Sequence, residues 1–112
     1  MKSDIAYLSH IIESMKAVIE FTTGKTIEEF KNDRLVWSAV VRELEVIGEA
    51  VKNLSYRIRE EYPEIPWRKM AGMRDVLIHG YFKINLDMVW ETATVIIPEI
   101  LPKIEDILSH LK

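Results

Sequence analysis

Arg74, His79 and Tyr81 stand in the order Arg-x-x-x-x-His-x-Tyr within the nine-residue stretch 73–81. Each brings a different chemistry. A guanidinium stays cationic in a protein, an imidazole exchanges a proton near neutral pH, and a phenol donates or accepts a hydrogen bond. A phosphate clamp, an acid/base and a hydroxyl handle together suit phosphodiester chemistry. When RNA is cleaved without a metal, its own 2′-OH attacks the adjacent phosphate. One group must take that proton, another must protonate the leaving 5′-oxygen, and a cation must hold the charge on the phosphoryl oxygens. The motif has one histidine, so a single chain lacks one of the two proton-transfer groups unless Tyr81 or water serves. A two-fold dimer would bring a second His79 and a second Arg74 to the same cleft. On this reading the His79 pair shares the acid and base roles, Arg74 stabilises the phosphorane and Tyr81 orients the substrate. The plainer alternatives are a surface arginine salt-bridged to Glu49 or Asp75, a histidine bonded to a carbonyl at a helix end, and a half-buried tyrosine ring.

The whole chain limits what else it can do. Its 112 residues suit one domain, 1–112, at a size where oligomerisation often adds buried surface. Cysteine is absent, which excludes disulfides, thiolate metal sites and cysteine nucleophiles. No apolar run reaches the length of a membrane span and the first residues lack a signal-peptide pattern, so a soluble cytoplasmic protein is expected. The net charge of -3 argues against a general nucleic-acid coat. Its distribution points the other way locally. Between Pro66 and Lys83 the cations Arg68, Lys69, Arg74 and Lys83 face only Asp75, leaving +3 around the motif and -6 elsewhere.

The elements that must hold the motif read as helices. Ile5, Leu8, Ile11, Ile12, Met15, Val18 and Ile19 recur at three- and four-residue steps, predicting a helix over about 3–23 that Ser3 or Asp4 caps and Gly24 closes in the left-handed conformation. Thr26 and Glu29 form a capping box opening a short turn with Ile27 and Phe30. Asn32 or Asp33 then caps the longest helix, expected to run to roughly Arg59 with Val40, Leu44, Ile47, Val51, Leu54 and Ile58 on one stripe. Gly48 inside it costs up to about 1 kcal/mol relative to alanine, and close approach of a neighbouring helix backbone is the preferred reason for it. Pro63 and Pro66 break the chain, and Pro66 is placed to be the first residue of a helix carrying Trp67, Met70, Met73 and Leu77 inward and ending near Gly80. Asn85 or Asp87 caps a last helical region in which Pro98 and Pro102 forbid a straight helix. No strand-period segment is visible. The expected fold is all-α, an up-and-down bundle of four to five helices with a kinked last helix.

Other residues have weaker claims. His10 and His110 read as solvent-facing helix residues, and no ligand spacing supports a metal. Trp37, Trp67 and Trp90 read as core or interface anchors. Glu49, beside Gly48, is either an exposed carboxylate or the group that orients Arg74, with orientation favoured. Arg68, Lys69 and Lys83 either guide RNA toward the motif or form a solvated face.

Ile47-Gly48-Glu49-Ala50, Tyr62-Pro63-Glu64-Ile65-Pro66-Trp67, Met73-Arg74-Asp75-x-x-x-His79-x-Tyr81-Phe82 and Val89-Trp90 together resemble the HepT-like toxins of the HEPN superfamily. The resemblance runs from the first helix to the last. It implies a homodimer with the Arg-x-x-x-x-His motifs of two protomers facing each other. It also implies a metal-independent endoribonuclease needing no cofactor, with Arg74 and His79 catalytic, paired as a toxin with a minimal nucleotidyltransferase antitoxin that silences it by AMPylating Tyr81. Asp75 and Gly80 stand where relatives often have Asn and a polar residue. The competing expectation is a non-catalytic helical subunit that binds a nucleotide or the partner enzyme, Tyr81 being only an acceptor for modification. A third is a purely structural dimerising bundle.

Overall fold

The computed structural model describes the backbone of residues 2–79 and 83–112 and the side chains of residues 3–75 and 83–112. The chain is helical as expected: α1 (Lys2–Thr22), α2 (Ile27–Lys31), α3 (Arg34–Lys52), α4 (Tyr56–Glu61), α5 (Trp67–Ala71), α6 (Met73–Leu77), α7 (Leu86–Glu91) and α8 (Ile97–Leu111), with a π-helical turn, Thr92–Ile96, joining the last two. α1 packs along α3 and α8, and α3 also carries α5 and α6. The core between them is apolar, with Leu8, Ile11 and Met15 of α1, Val40, Leu44, Ile47 and Val51 of α3, and Ile97, Ile104 and Ile107 of α8 all buried. No helix among the described residues is long and apolar enough to cross a membrane.

The local signals act as their chemistry dictates. Gly24 has φ of 79°, the left-handed conformation that glycine adopts at least cost, and it ends α1. The Thr26–Glu29 capping box forms in both directions, at 2.9 and 3.1 Å. Of the two candidates for the α3 cap, Asp33 accepts from the Val36 N–H, while Asn32 closes α2 by donating to the Glu28 carbonyl. Asn85 caps α7, accepting from the Met88 N–H at 3.1 Å. Pro66 sits one residue earlier than expected, at the N-cap of α5.

Three expectations on boundaries fail. The helix expected to reach Arg59 stops at Lys52 and restarts as α4 at Tyr56. The break has a tertiary cause: Asp4, buried at the start of α1, accepts hydrogen bonds from the Ser55 N–H at 2.8 Å and the Ser55 hydroxyl at 2.7 Å. Ser55 then caps α4. Leu54 and Ile58 stay buried across the joint, which is why the apolar stripe reads as continuous. The helix expected from Pro66 to Gly80 is divided at Gly72 and ends at Leu77, after which Ile78–His79 pairs antiparallel with Lys83–Ile84 in a two-residue ladder that no strand periodicity announces. Finally, α1, with 21 residues, is longer than α3, with 19.

The last arm is irregular as expected, but the irregularity is a wide turn just ahead of Pro98, and α8 runs on through Pro102 without a break. The Ile97 N–H reaches back five residues to the Thr92 carbonyl, and the Thr94 hydroxyl donates to the Trp90 carbonyl at 2.7 Å. Pro98 follows in the first turn of α8, where a missing N–H costs little.

Candidate functional site

Arg74 lies in the first turn of α6, and α5 decides where that turn begins. A Cβ on Gly48 would lie 3.1 Å from the Met70 carbonyl oxygen and 3.4 Å from that of Ala71. Glycine therefore lets the α5 backbone rest against α3, the close approach expected from the sequence. Trp67 and Met70 anchor α5 in the core, and the Trp67 indole N–H donates to the Tyr62 carbonyl at 2.9 Å. Gly72 closes α5, and Met73, also buried, starts α6 with Arg74 turned outward.

The Arg74 Nε–H donates to Glu45 Oε2 at 3.0 Å. Glu45 is the less exposed partner, at 30% against 67% for Arg74. The acid that orients the arginine is thus one turn earlier on α3 than Glu49, and it is not Asp75, whose exposed side chain lies beyond a backbone N–H bonded to the Gly72 carbonyl. Glu49 shares the same groove without engaging Arg74. Among the described residues only Nε is occupied, so the two terminal nitrogens of the guanidinium keep their donors for an anion.

That groove encloses about 480 Å³. Its α3 wall carries Arg42, Glu45, Glu49 and Lys52 at steps of three and four, the spacing of one helix face. Its α1 wall carries Tyr7 and His10. His10 is exposed, as the sequence suggested, yet it borders the cavity that holds Arg74. Arg42, Glu45 and Lys52 were missed by the sequence reading, although their spacing with Glu49 was a visible signal.

Arg68, Lys69 and Lys83, the cations singled out around the motif, do not line that groove. Arg68 and Lys69 are exposed on α5 and line a separate groove with Arg59, Pro63 and Trp67. Lys83 is exposed and pairs through its backbone with His79. The His79 side chain and all of Tyr81 lie outside the described residues. Among the described residues, no three His, Asp or Glu side chains converge as metal ligands. Of the tryptophans, Trp67 is a core residue and Trp90 packs against Phe30 with ring centroids 5.2 Å apart, while Trp37 is half-buried against the core. His110 is exposed, its Nδ1 lying 2.8 Å from the Asp106 carbonyl oxygen.

The family model described as "Ribonuclease HepT-like" matches residues 11–107. The chain is 50% identical over 112 residues to "Putative RNase MJ1216" of Methanocaldococcus jannaschii, covering 99% of this chain and 93% of that one. It is 44% identical over 112 residues to "Putative RNase TTE0752" of Caldanaerobacter subterraneus, covering 100% of each. To "Probable ribonuclease HepT" of Thermococcus cleftensis it is 43% identical over 99 residues, covering 88% of this chain and 90% of the other. No solved structure gives a significant match. A helical bundle that presents an oriented arginine five residues before a histidine, matched by that family model over most of its length, belongs to the HepT-like ribonuclease family.

Proposed function

We propose that this protein is a metal-independent endoribonuclease, the toxin of a toxin–antitoxin pair, with Arg74 and His79 as its catalytic residues. One observation carries the reading beyond the family: among the described residues the exposed Arg74 guanidinium is held by a single hydrogen bond through Nε at the rim of a concave groove, which leaves its terminal N–H groups for a phosphate. In the proposed reaction the ribose 2′-OH gives its proton to one imidazole and attacks the phosphorus. Arg74 stabilises the charge on the non-bridging oxygens, and the leaving 5′-oxygen takes a proton from a second imidazole. The products are a 2′,3′-cyclic phosphate and a 5′-OH.

The motif supplies one imidazole per chain, so in this reading the active form is a homodimer that brings two copies of His79 together and acts as one two-fold unit in the cytoplasm. Exposed Met88, Val95 and Ile96, beside an apolar groove bordered by Met70 and Met73, give a second copy apolar surface to cover. The supporting acid is Glu45, since neither Glu49 nor Asp75 engages the Arg74 guanidinium. Arg68, Lys69 and Lys83 add long-range attraction for the RNA backbone, which makes binding depend on salt. Tyr81, two residues from His79, is the proposed point of control. An AMP group placed there by a nucleotidyltransferase antitoxin adds negative charge and bulk where an RNA phosphate must sit.

The test is cleavage of RNA by the purified protein in the presence of a chelator. Wild-type protein should cleave, and Arg74→Ala and His79→Ala should each lose at least about a hundredfold. Cleavage by His79→Ala at the wild-type rate would end the proposal. Absence of cleavage by the wild type, with Tyr81 still modified, would favour the non-catalytic subunit. Intact mass after incubation with ATP and the cognate nucleotidyltransferase tests the modification, and an unchanged mass removes that mechanism.

A further inference from the structure

The Arg74 groove has a wall that the motif does not account for. Tyr7 and His10 lie three residues apart on α1, hence on one helix face, and both border the cavity. Among the described residues His10 makes no hydrogen bond or ion pair, in contrast to His110 with its partner on Asp106. The charged groups around them are Arg42, Glu45, Glu49, Lys52 and Arg74. Since Glu45 is bonded to Arg74, the groove keeps a cationic balance.

We propose that α1 forms half of the substrate site, with Tyr7 and His10 holding one unpaired nucleotide of an RNA strand beside the phosphate gripped by Arg74. This rests on the ribonuclease reading and adds the nature of the substrate to it. An unstacked base can lie on the Tyr7 ring, a contact that tolerates any sequence because every base has a π-face. The His10 imidazole donates to the neighbouring phosphate, and Arg42 and Lys52 extend the cationic track along α3. About 480 Å³ is within the usual range for a site that takes a ligand of nucleotide size. A continuous duplex keeps its bases stacked and cannot present one to Tyr7. The substrate is therefore a single-stranded segment or loop.

The experiment measures binding of a fluorescent 2′-O-methyl oligoribonucleotide, in which the blocked 2′-oxygen prevents cleavage. Wild type, His10→Ala and Tyr7→Leu are compared, with melting curves to show that each is folded. His10 is exposed, so its variant should fold even if Tyr7→Leu does not. Each variant should bind about tenfold more weakly, and the wild type should prefer the single strand to a hairpin stem of the same length. Affinities of both variants within about twofold of wild type would overturn the proposal. Cleavage of unmodified RNA by the wild type is measured alongside. If it cleaves while the α1 variants bind normally, only the role of α1 falls. If it binds the analogue but never cleaves, the ribonuclease reading falls, and weakened α1 variants still support the site.

Discussion

Arg74 and Glu45, 29 residues apart in sequence, are joined by one hydrogen bond of 3.0 Å between α6 and α3. The bond engages only the Nε edge of the guanidinium, so Glu45 fixes its plane without consuming the donors a phosphate would use. An exposed ion pair of this kind contributes about 0–1 kcal/mol to folding. Glu45→Ala should therefore leave the melting temperature nearly unchanged while lowering the rate constant for RNA cleavage about tenfold, with little effect on KM. Arg74→Ala should lose about a hundred- to a thousandfold. Equal cleavage by Glu45→Ala and wild type would show that the pair does not position the arginine.

Gly48 offers a test of how the site is mounted. Valine there would press on the Met70 and Ala71 carbonyls, which belong to α5 backbone and cannot rotate away. Overpacking of this kind costs about 1–3 kcal/mol. Gly48→Val should lower the midpoint of urea unfolding accordingly and should reduce cleavage further, because α5 sets where α6 starts. Gly48→Ala makes a tighter contact too but gains helix propensity of up to about 1 kcal/mol, so its net change should be smaller.

Asp4 holds the joint between α3 and α4. It is buried and accepts two hydrogen bonds from Ser55. Asp4→Ala should leave the Ser55 N–H without its partner and destabilise the protein by about 1–3 kcal/mol. Asn at this position keeps one acceptor and should cost less. Denaturant titration of the three proteins decides it, and equal stability would mean that the joint holds without Asp4.

Arg59 closes the end of α3 from outside the helix. Its Nη2 donates to the Lys52 carbonyl at 3.0 Å, one of the groups a helix C-terminus leaves unpaired, and to the Val51 carbonyl at 2.9 Å, which also accepts from the Leu54 N–H. Arg59→Ala should cost about 1–2 kcal/mol, and amide exchange should quicken first in the last turn of α3. Uniform exchange across the helix would point to a packing effect instead.

What could be read from the chain follows the range of the forces involved. Gly24, the Thr26–Glu29 box, Asp33 and Asn85 act within a few residues, and each does what its side chain dictates. Gly48 was legible because glycine inside a strong helix pattern needs a reason, and backbone contact is the common one. The break at Asn53–Ser55 was hidden because its cause, Asp4, is about fifty residues away. For the site, the sequence singled out Arg74 but named Glu49 or Asp75 as its acid. Choosing Glu45 needs the position of α6 against α3, which Gly48 and Gly72 determine jointly. His10 was set aside because exposure alone does not say whether the surface beneath it is convex or hollow.

The wide turn between α7 and α8 corrects a phase. Val89, Ala93 and Ile97 are all fully buried, yet they are separated by two successive steps of four. An ordinary helix drifts by about 80° over eight residues, enough to swing Ile97 and everything after it off the stripe. The π-helical turn takes up that angle, with Val95 as surplus length standing in solvent. The carboxyl-terminal arm is thereby indexed like a gear with one tooth added. Its fit depends on how many residues lie between Val89 and Ile100 more than on which residue occupies Val95.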